Sequence, residues 1–126
     1  MNAHSQILVV SRDQRLLQTR RLILGTYFEV EAAGRISEAG SLISKRDFDL
    51  IVLCDTLSEE ECRQVADLVR DKDPHPTVFS IRGPGNDSAA VPVGRRVPLG
   101  SPLQLLKECA EVLGRDLRGR QRMFSN

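Results

Sequence analysis

The sequence predicts an α/β fold, a doubly wound parallel sheet of four or five strands covered by helices on both faces. Two observations carry that prediction. Residues 7–10 (Ile-Leu-Val-Val) and 50–54 (Leu-Ile-Val-Leu-Cys) are apolar without a break, the pattern of strands buried on both faces. Stretches with apolar residues at helical spacing lie between such runs, so strand and helix alternate along the chain. Right-handed crossovers follow from strand chirality. Ligands in such sheets sit outside the carboxyl ends of the strands.

Each element has a local reason. After the first strand, Asp13 caps a helix in which Leu16, Leu17, Ile23 and Leu24 recur near one face, and Gly25 stops it. Phe28, Val30 and Ala32 alternate with Glu29 and Glu31, a half-exposed second strand. Ser37 opens a second helix, with Ile36, Ala39, Leu42 and Ile43 at helical spacing. Beyond the third strand, Ser58 and Glu61 form a capping box, and Cys62, Val65, Ala66 and Val69 make a buried stripe. Pro74 and Pro76 break the chain before a fourth strand at residues 77–81. Gly83, Pro84, Gly85, Pro92 and Gly94 leave no room for a full helix in the interval that follows. A last strand is expected near residues 95–99. Ser101 and Pro102 then open a closing helix faced by Leu103, Leu106, Ala110 and Leu113.

Composition narrows the function. A chain of 126 residues is one domain with a real core. Its 28% charged and 40% hydrophobic residues are ordinary for a soluble protein. A net charge of +1 creates no global field for nucleic acid or an anionic membrane. The three cysteines Cys54, Cys62 and Cys109 lie in apolar stretches with no CxxC spacing, and read as reduced packing residues in a cytoplasmic protein. The apolar run at residues 7–10 is too short for a signal peptide or a membrane span.

From Gln6 to Leu113 the order and spacing resemble a receiver domain of bacterial two-component response regulators. The features that carry the resemblance are the opening Ile7-Leu8-Val9-Val10, the third strand Asp49-Leu50-Ile51-Val52-Leu53, the capped helix after it, and Pro98 before a leucine-rich helix. The resemblance implies a flavodoxin-like (CheY-like) doubly wound parallel five-stranded sheet, order 2-1-3-4-5, here with the fourth helix shortened or missing. It divides the chain into a receiver-like domain at residues 1–113 and a basic C-terminal tail at 114–126.

Receiver chemistry uses an acidic pair holding Mg²⁺, an aspartate nucleophile, a hydroxyl and a lysine, so catalysis is mostly positioning and electrostatics. Carried onto this chain, the resemblance puts the acidic pair on Ser11 and Arg12, with Asp13 one place later. The nucleophile falls on Cys54, the hydroxyl on Ser80 or Ile81, and the lysine on Val97. Mg²⁺ wants hard oxygen ligands, and Arg12 sets a positive charge beside the metal position. One unit-charge pair at about 4 Å and an effective dielectric near 20 is worth on the order of 4 kcal/mol, and a divalent ion feels about twice that as repulsion.

The expectation is therefore an atypical pseudo-receiver, not an enzyme, with no catalytic residue, no cofactor and the Mg²⁺ site lost. It acts on a protein partner of a signalling pathway, without membrane or nucleic-acid contact, and a homodimer is left open. Two alternatives stand beside it: a working phosphoacceptor using Asp13 and Asp55, and a redox sensor using Cys54 with its thiol activated by Arg12. Gly83-Pro84-Gly85 lacks the lysine and hydroxyl of a phosphate loop and reads as a turn. The tail, with Arg115, Arg118, Arg120 and Arg122 against Asp116, reads as a solvated segment.

Overall fold

The computed structural model describes residues 5–54, 56–72, 75–82, 95–98 and 102–113. Five parallel strands pair in the order β2-β1-β3-β4-β5: β1 Gln6–Val10, β2 Glu29–Ala33, β3 Leu50–Leu53, β4 Thr77–Arg82 and β5 Arg95–Pro98. Four helices alternate with them among the described residues: α1 Gln14–Leu24, α2 Ile36–Lys45, α3 Glu59–Arg70 and α4 Pro102–Val112. The fold and strand order are those the sequence predicts. The interval proposed to have lost a helix, residues 83–94, lies outside the described residues, as do the Ser101 cap and the tail 114–126.

The two unbroken apolar strands sit where their sequences demand. β1 and β3 are central, every residue of β3 is buried, and side chains alternate between two cores. Ile7, Val9, Leu50, Val52, Phe79 and Ile81 face α1 and α4. Leu8, Val10, Ile51, Leu53 and Val78 face α2 and α3. Each such buried aliphatic contributes roughly 1.5–3 kcal/mol, so both faces are firmly covered.

Caps follow the sequence in two helices and depart from it in one. Asp13 accepts from the Arg15 and Leu16 amides. The Ser58–Glu61 capping box is formed in both directions. The second helix, however, starts at Ile36 with Arg35 as N-cap and no side-chain cap bond, so Ser37 lies inside it. Glu38 serves instead, reaching back to the Gly34 amide at 2.8 Å. The buried face of α4 also differs from the expectation: Leu105, Leu106, Cys109 and Ala110 are buried, and Leu103 is exposed. Leu103 shares the i, i+3, i+7 row of Leu106 and Ala110 but lies in the first turn, at the end of the helix, where it stays exposed.

At the amino ends of the strands, Arg46 binds Gln6 and Glu31 and stacks over Phe48, while Lys72 donates to the Ile43 carbonyl at 2.7 Å. These ties close the end of the sheet opposite the site.

Candidate functional site

The carboxyl ends of β1 and β3 bring two loops together. β1 continues straight into Ser11, which is fully buried and whose amide donates to Ala33 O at 3.1 Å. Beside it, the Cys54 amide donates to Val10 O at 3.0 Å, so Cys54 extends the β3 ladder by one residue. Ser11 Oγ accepts from the Asp13 amide at 3.1 Å and lies 3.2 Å from Thr56 Oγ1. Thr56 Oγ1 in turn accepts from the Arg12 amide at 3.0 Å. Two hydroxyls thus stitch the loop after β1 to the loop after β3.

An ion pair completes the closure. Arg12 Nε donates to both oxygens of Glu61, at 3.1 and 3.0 Å, and Nη2 also bonds Oε2. The same carboxylate accepts from the Ser58 amide at 2.9 Å, so one side chain serves both the helix cap and the loop. The hydrogen bond from Arg12 holds the Glu61 carboxyl below its ordinary pKa, with burial opposing. The same hydrogen bond raises the Arg12 guanidinium. Arg12 is therefore not the uncompensated charge that the sequence suggests. Its side chain lies out at 62% exposure over a carboxylate that is only 13% exposed.

Cys54 and Ile81 make an apolar level across β3 and β4. Cys54 is 1% exposed and belongs to the core under α1 and α4, together with Ile81. In the ladder Leu53 stands opposite Ser80, so the next level aligns Cys54 with Ile81, and Ile81 in turn pairs with Val97. This settles which of the two β4 positions shares the face of Cys54: it is Ile81. Ser80 alternates to the Val78 side, buried, with its Oγ lacking a hydrogen-bond partner among the described residues. Asp13 is nearby, but its carboxylate is engaged by the first turn of α1. Asp55 lies outside the described residues. Among the described residues no three His, Cys, Asp or Glu groups converge as around a metal ion.

Two site residues escaped the sequence reading. Thr56 carries no local pattern beyond a hydroxyl two places past the strand. Glu61 was legible as a cap but not as the partner of a residue 49 positions away.

With this geometry in place, the chain can be set beside known proteins. No family model matches it, and no curated protein does. Solved structures do. A CheY-like response regulator receiver domain protein from Methanospirillum hungatei JF-1 superposes with TM-score 0.72 at 21% identity, covering 89% of this chain and 95% of that one. The chemotaxis protein CheY4 of Vibrio cholerae gives 0.71 at 20% identity, over 87% of this chain and 99% of its own. The fold is that of a response-regulator receiver domain. A receiver domain protein from Clostridium thermocellum adds TM-score 0.71 at 16% identity, over 95% of this chain and 98% of that one. At such identities the likeness is one of fold.

Proposed function

We propose that this chain is a pseudo-receiver: a signalling or scaffold module that works through contact with a protein partner, without aspartyl phosphorylation and without enzymatic activity. The observation that carries this reading is the row Cys54, Ile81 and Val97, where the receiver fold calls for a carboxylate, a hydroxyl and an ammonium. The Ile81 hydrocarbon and the buried Cys54 thiol offer a phosphoryl group neither a nucleophile in reach of water nor a charge to balance its own.

The fold family implies a Mg²⁺ ion, and the donors present suit one poorly. Hard cations bind carboxylates and carbonyls in open positions. Here Ser11 and Thr56 hydroxyls bond each other, Asp13 caps α1, and Arg12 holds Glu61. The two loops that a metal would bridge are already joined by this chain's own side chains, which favours a single resting state over a phosphorylation-driven switch. A cytoplasmic place of action belongs to the same reading. Among the described residues no helix is long and apolar enough to cross a membrane.

An amide NMR titration with Mg²⁺, followed by beryllium fluoride, tests the proposal. The expected result is no localised shift at Ser11, Thr56 or Cys54. Saturable shifts there that disappear in Asp55→Asn would replace this reading with a working phosphoacceptor.

A further inference from the structure

The sheet ends on an open edge. β2 is the last strand on its side and pairs only with β1. The Glu29 amide donates to Ser5 O, and Ala33 O accepts from the Ser11 amide, so Glu29, Glu31 and Ala33 direct their backbone groups at β1. The amides and carbonyls of Val30 and Ala32 therefore point outward, and no backbone partner for them occurs among the described residues. An unpaired row of this kind is a template for another strand.

The side chains of the edge limit what can pair with it. Val30 and Ala32 pack on the core under α1, and Ala33 on the core under α2, so Glu29 and Glu31 share the α2 side. Glu29 is exposed and enters no ion pair with a described residue, while Glu31 gives Oε2 to Arg46. A second copy of β2 laid along this edge would set carboxylates against each other. A strand with cations at every second position fits instead. The chain supplies that pattern itself: Arg118, Arg120 and Arg122 alternate in the segment 114–126, which has no proline and lies outside the described residues.

We infer that residues 120–124 pair with the outer edge of β2 in the same chain, as a sixth parallel strand, with Arg120 beside Glu29 and Arg122 beside Glu31. α4 follows the carboxyl end of β5 and spans 11 residues, about 16 Å, so it runs back to the amino end of the sheet, where Glu29 begins β2. Val112 and Leu113, at its close, pack on the same core cluster as Val30 and Ala32. The six residues 114–119 reach about 20 Å when extended, enough to pass α1, about 10 Å wide. The step from β5 over α4 to this edge has the direction of the step from β1 over α1 to β2. It uses the same sheet face, so it keeps the right hand. In this register Val30 and Ala32 gain backbone partners from Arg120, Arg122 and Phe124. The edge is thereby closed to other chains, whatever the chemistry of the site.

The test is amide hydrogen exchange by NMR on the full chain, beside a form that stops at Gly119. In the full chain the Val30 and Ala32 amides should be protected, with cross-strand NOEs joining residues 120–124 to 29–33. The shortened form should exchange about tenfold faster or more at these two amides, and equally slowly at the Cys54 amide, which bonds Val10 O. Glu29→Arg should lower the protection, and Glu29→Arg combined with Arg120→Glu should restore it, since opposite charges again stand side by side. Equal exchange of Val30 and Ala32 in the full and shortened forms would overturn the inference, as would a charge swap that restores nothing. Protection that grows with protein concentration would assign the pairing to the tail of a second copy, and NOEs from residues 120–124 to another element would place the tail elsewhere. Either of these outcomes also overturns the inference.

Discussion

Arg12 and Glu61, 49 residues apart in sequence, meet through Nε and both carboxylate oxygens, and Glu61 holds the Ser58 amide at the same time. The start of α3 and the loop after β1 are thus one unit. In Glu61→Gln the amide still caps Ser58, because glutamine serves in a capping box, and only the ion pair is lost. With Arg12 mostly in solvent, that loss should be small and shrink at high salt. Glu61→Ala removes the cap as well and should cost roughly 1 kcal/mol more. Urea unfolding midpoints of the two variants separate the contributions. Equal losses would mean that the cap contributes nothing, and an unchanged midpoint in Glu61→Gln would mean the same of the ion pair.

The same pair sets an acid limit. Glu61 has a folded pKa below its ordinary 4.5 because Arg12 donates to it. A depressed carboxyl contributes stability above the unfolded value and loses it as pH falls through the folded value. The stability of the wild type should therefore decline below about pH 4.5 more steeply than that of Arg12→Met, whose Glu61 lacks this partner. Parallel declines from pH 7 to pH 3 would refute the coupling.

Ser80 offers a test with the opposite sign. Its hydroxyl is buried and without a partner among the described residues. Ser80→Ala removes a desolvated polar atom and breaks no hydrogen bond among them. It should therefore be neutral or stabilising by up to about 1 kcal/mol. A loss beyond that would reveal a partner for Ser80 Oγ. By contrast, Thr56→Val removes the acceptor of the Arg12 amide and the neighbour of Ser11 Oγ, and should destabilise by about 1–2 kcal/mol.

The thiols discriminate the redox alternative. Cys54, Cys62 and Cys109 are 1%, 0% and 0% exposed. Burial, aided by Glu108, pushes the Cys109 thiol up to about 12, so it holds almost no thiolate at neutral pH. Native protein should react with a disulfide reagent only as fast as it opens, and urea should release all three groups together. One thiol of Cys54 reacting in seconds in native buffer would make that residue a sensor.

What the sequence revealed was local or periodic. Unbroken apolar runs placed β1 and β3 at the centre of the sheet, and the Ser58–Glu61 spacing announced its cap, because each signal lies within one element. What it hid depended on pairing between elements. Ser80 and Ile81 are equivalent in a strand pattern, and only the pairing of Leu53 with Ser80 assigns their faces. The Arg12–Glu61 pair joins residues separated by two helices and two strands, and no periodicity reports it. Ser37 has the right chemistry for a cap, but α2 starts before it, and Glu38 answers the Gly34 amide instead.

Restoring the carboxylate is the sharpest challenge to the proposed function. Cys54→Asp puts an acid into a position 1% exposed, in a core cluster that contains Ile81. An ionised carboxylate without a partner is strongly disfavoured there, so its pKa rises and the protein binds more protons folded than unfolded. A raised folded pKa means that stability falls as pH climbs above the unfolded value near 3.9. The variant should be about 3 kcal/mol less stable at pH 7, the scale of an uncompensated buried charge, and should approach the wild type at pH 4. Millimolar Mg²⁺ should not recover the loss, because the hydroxyls and carboxylates around it are already engaged by Thr56, α1 and Arg12. A melting temperature that rises with Mg²⁺ in Cys54→Asp alone would show that the metal site survives in all but its nucleophile. The resting closure would then belong to a receiver one substitution from activity.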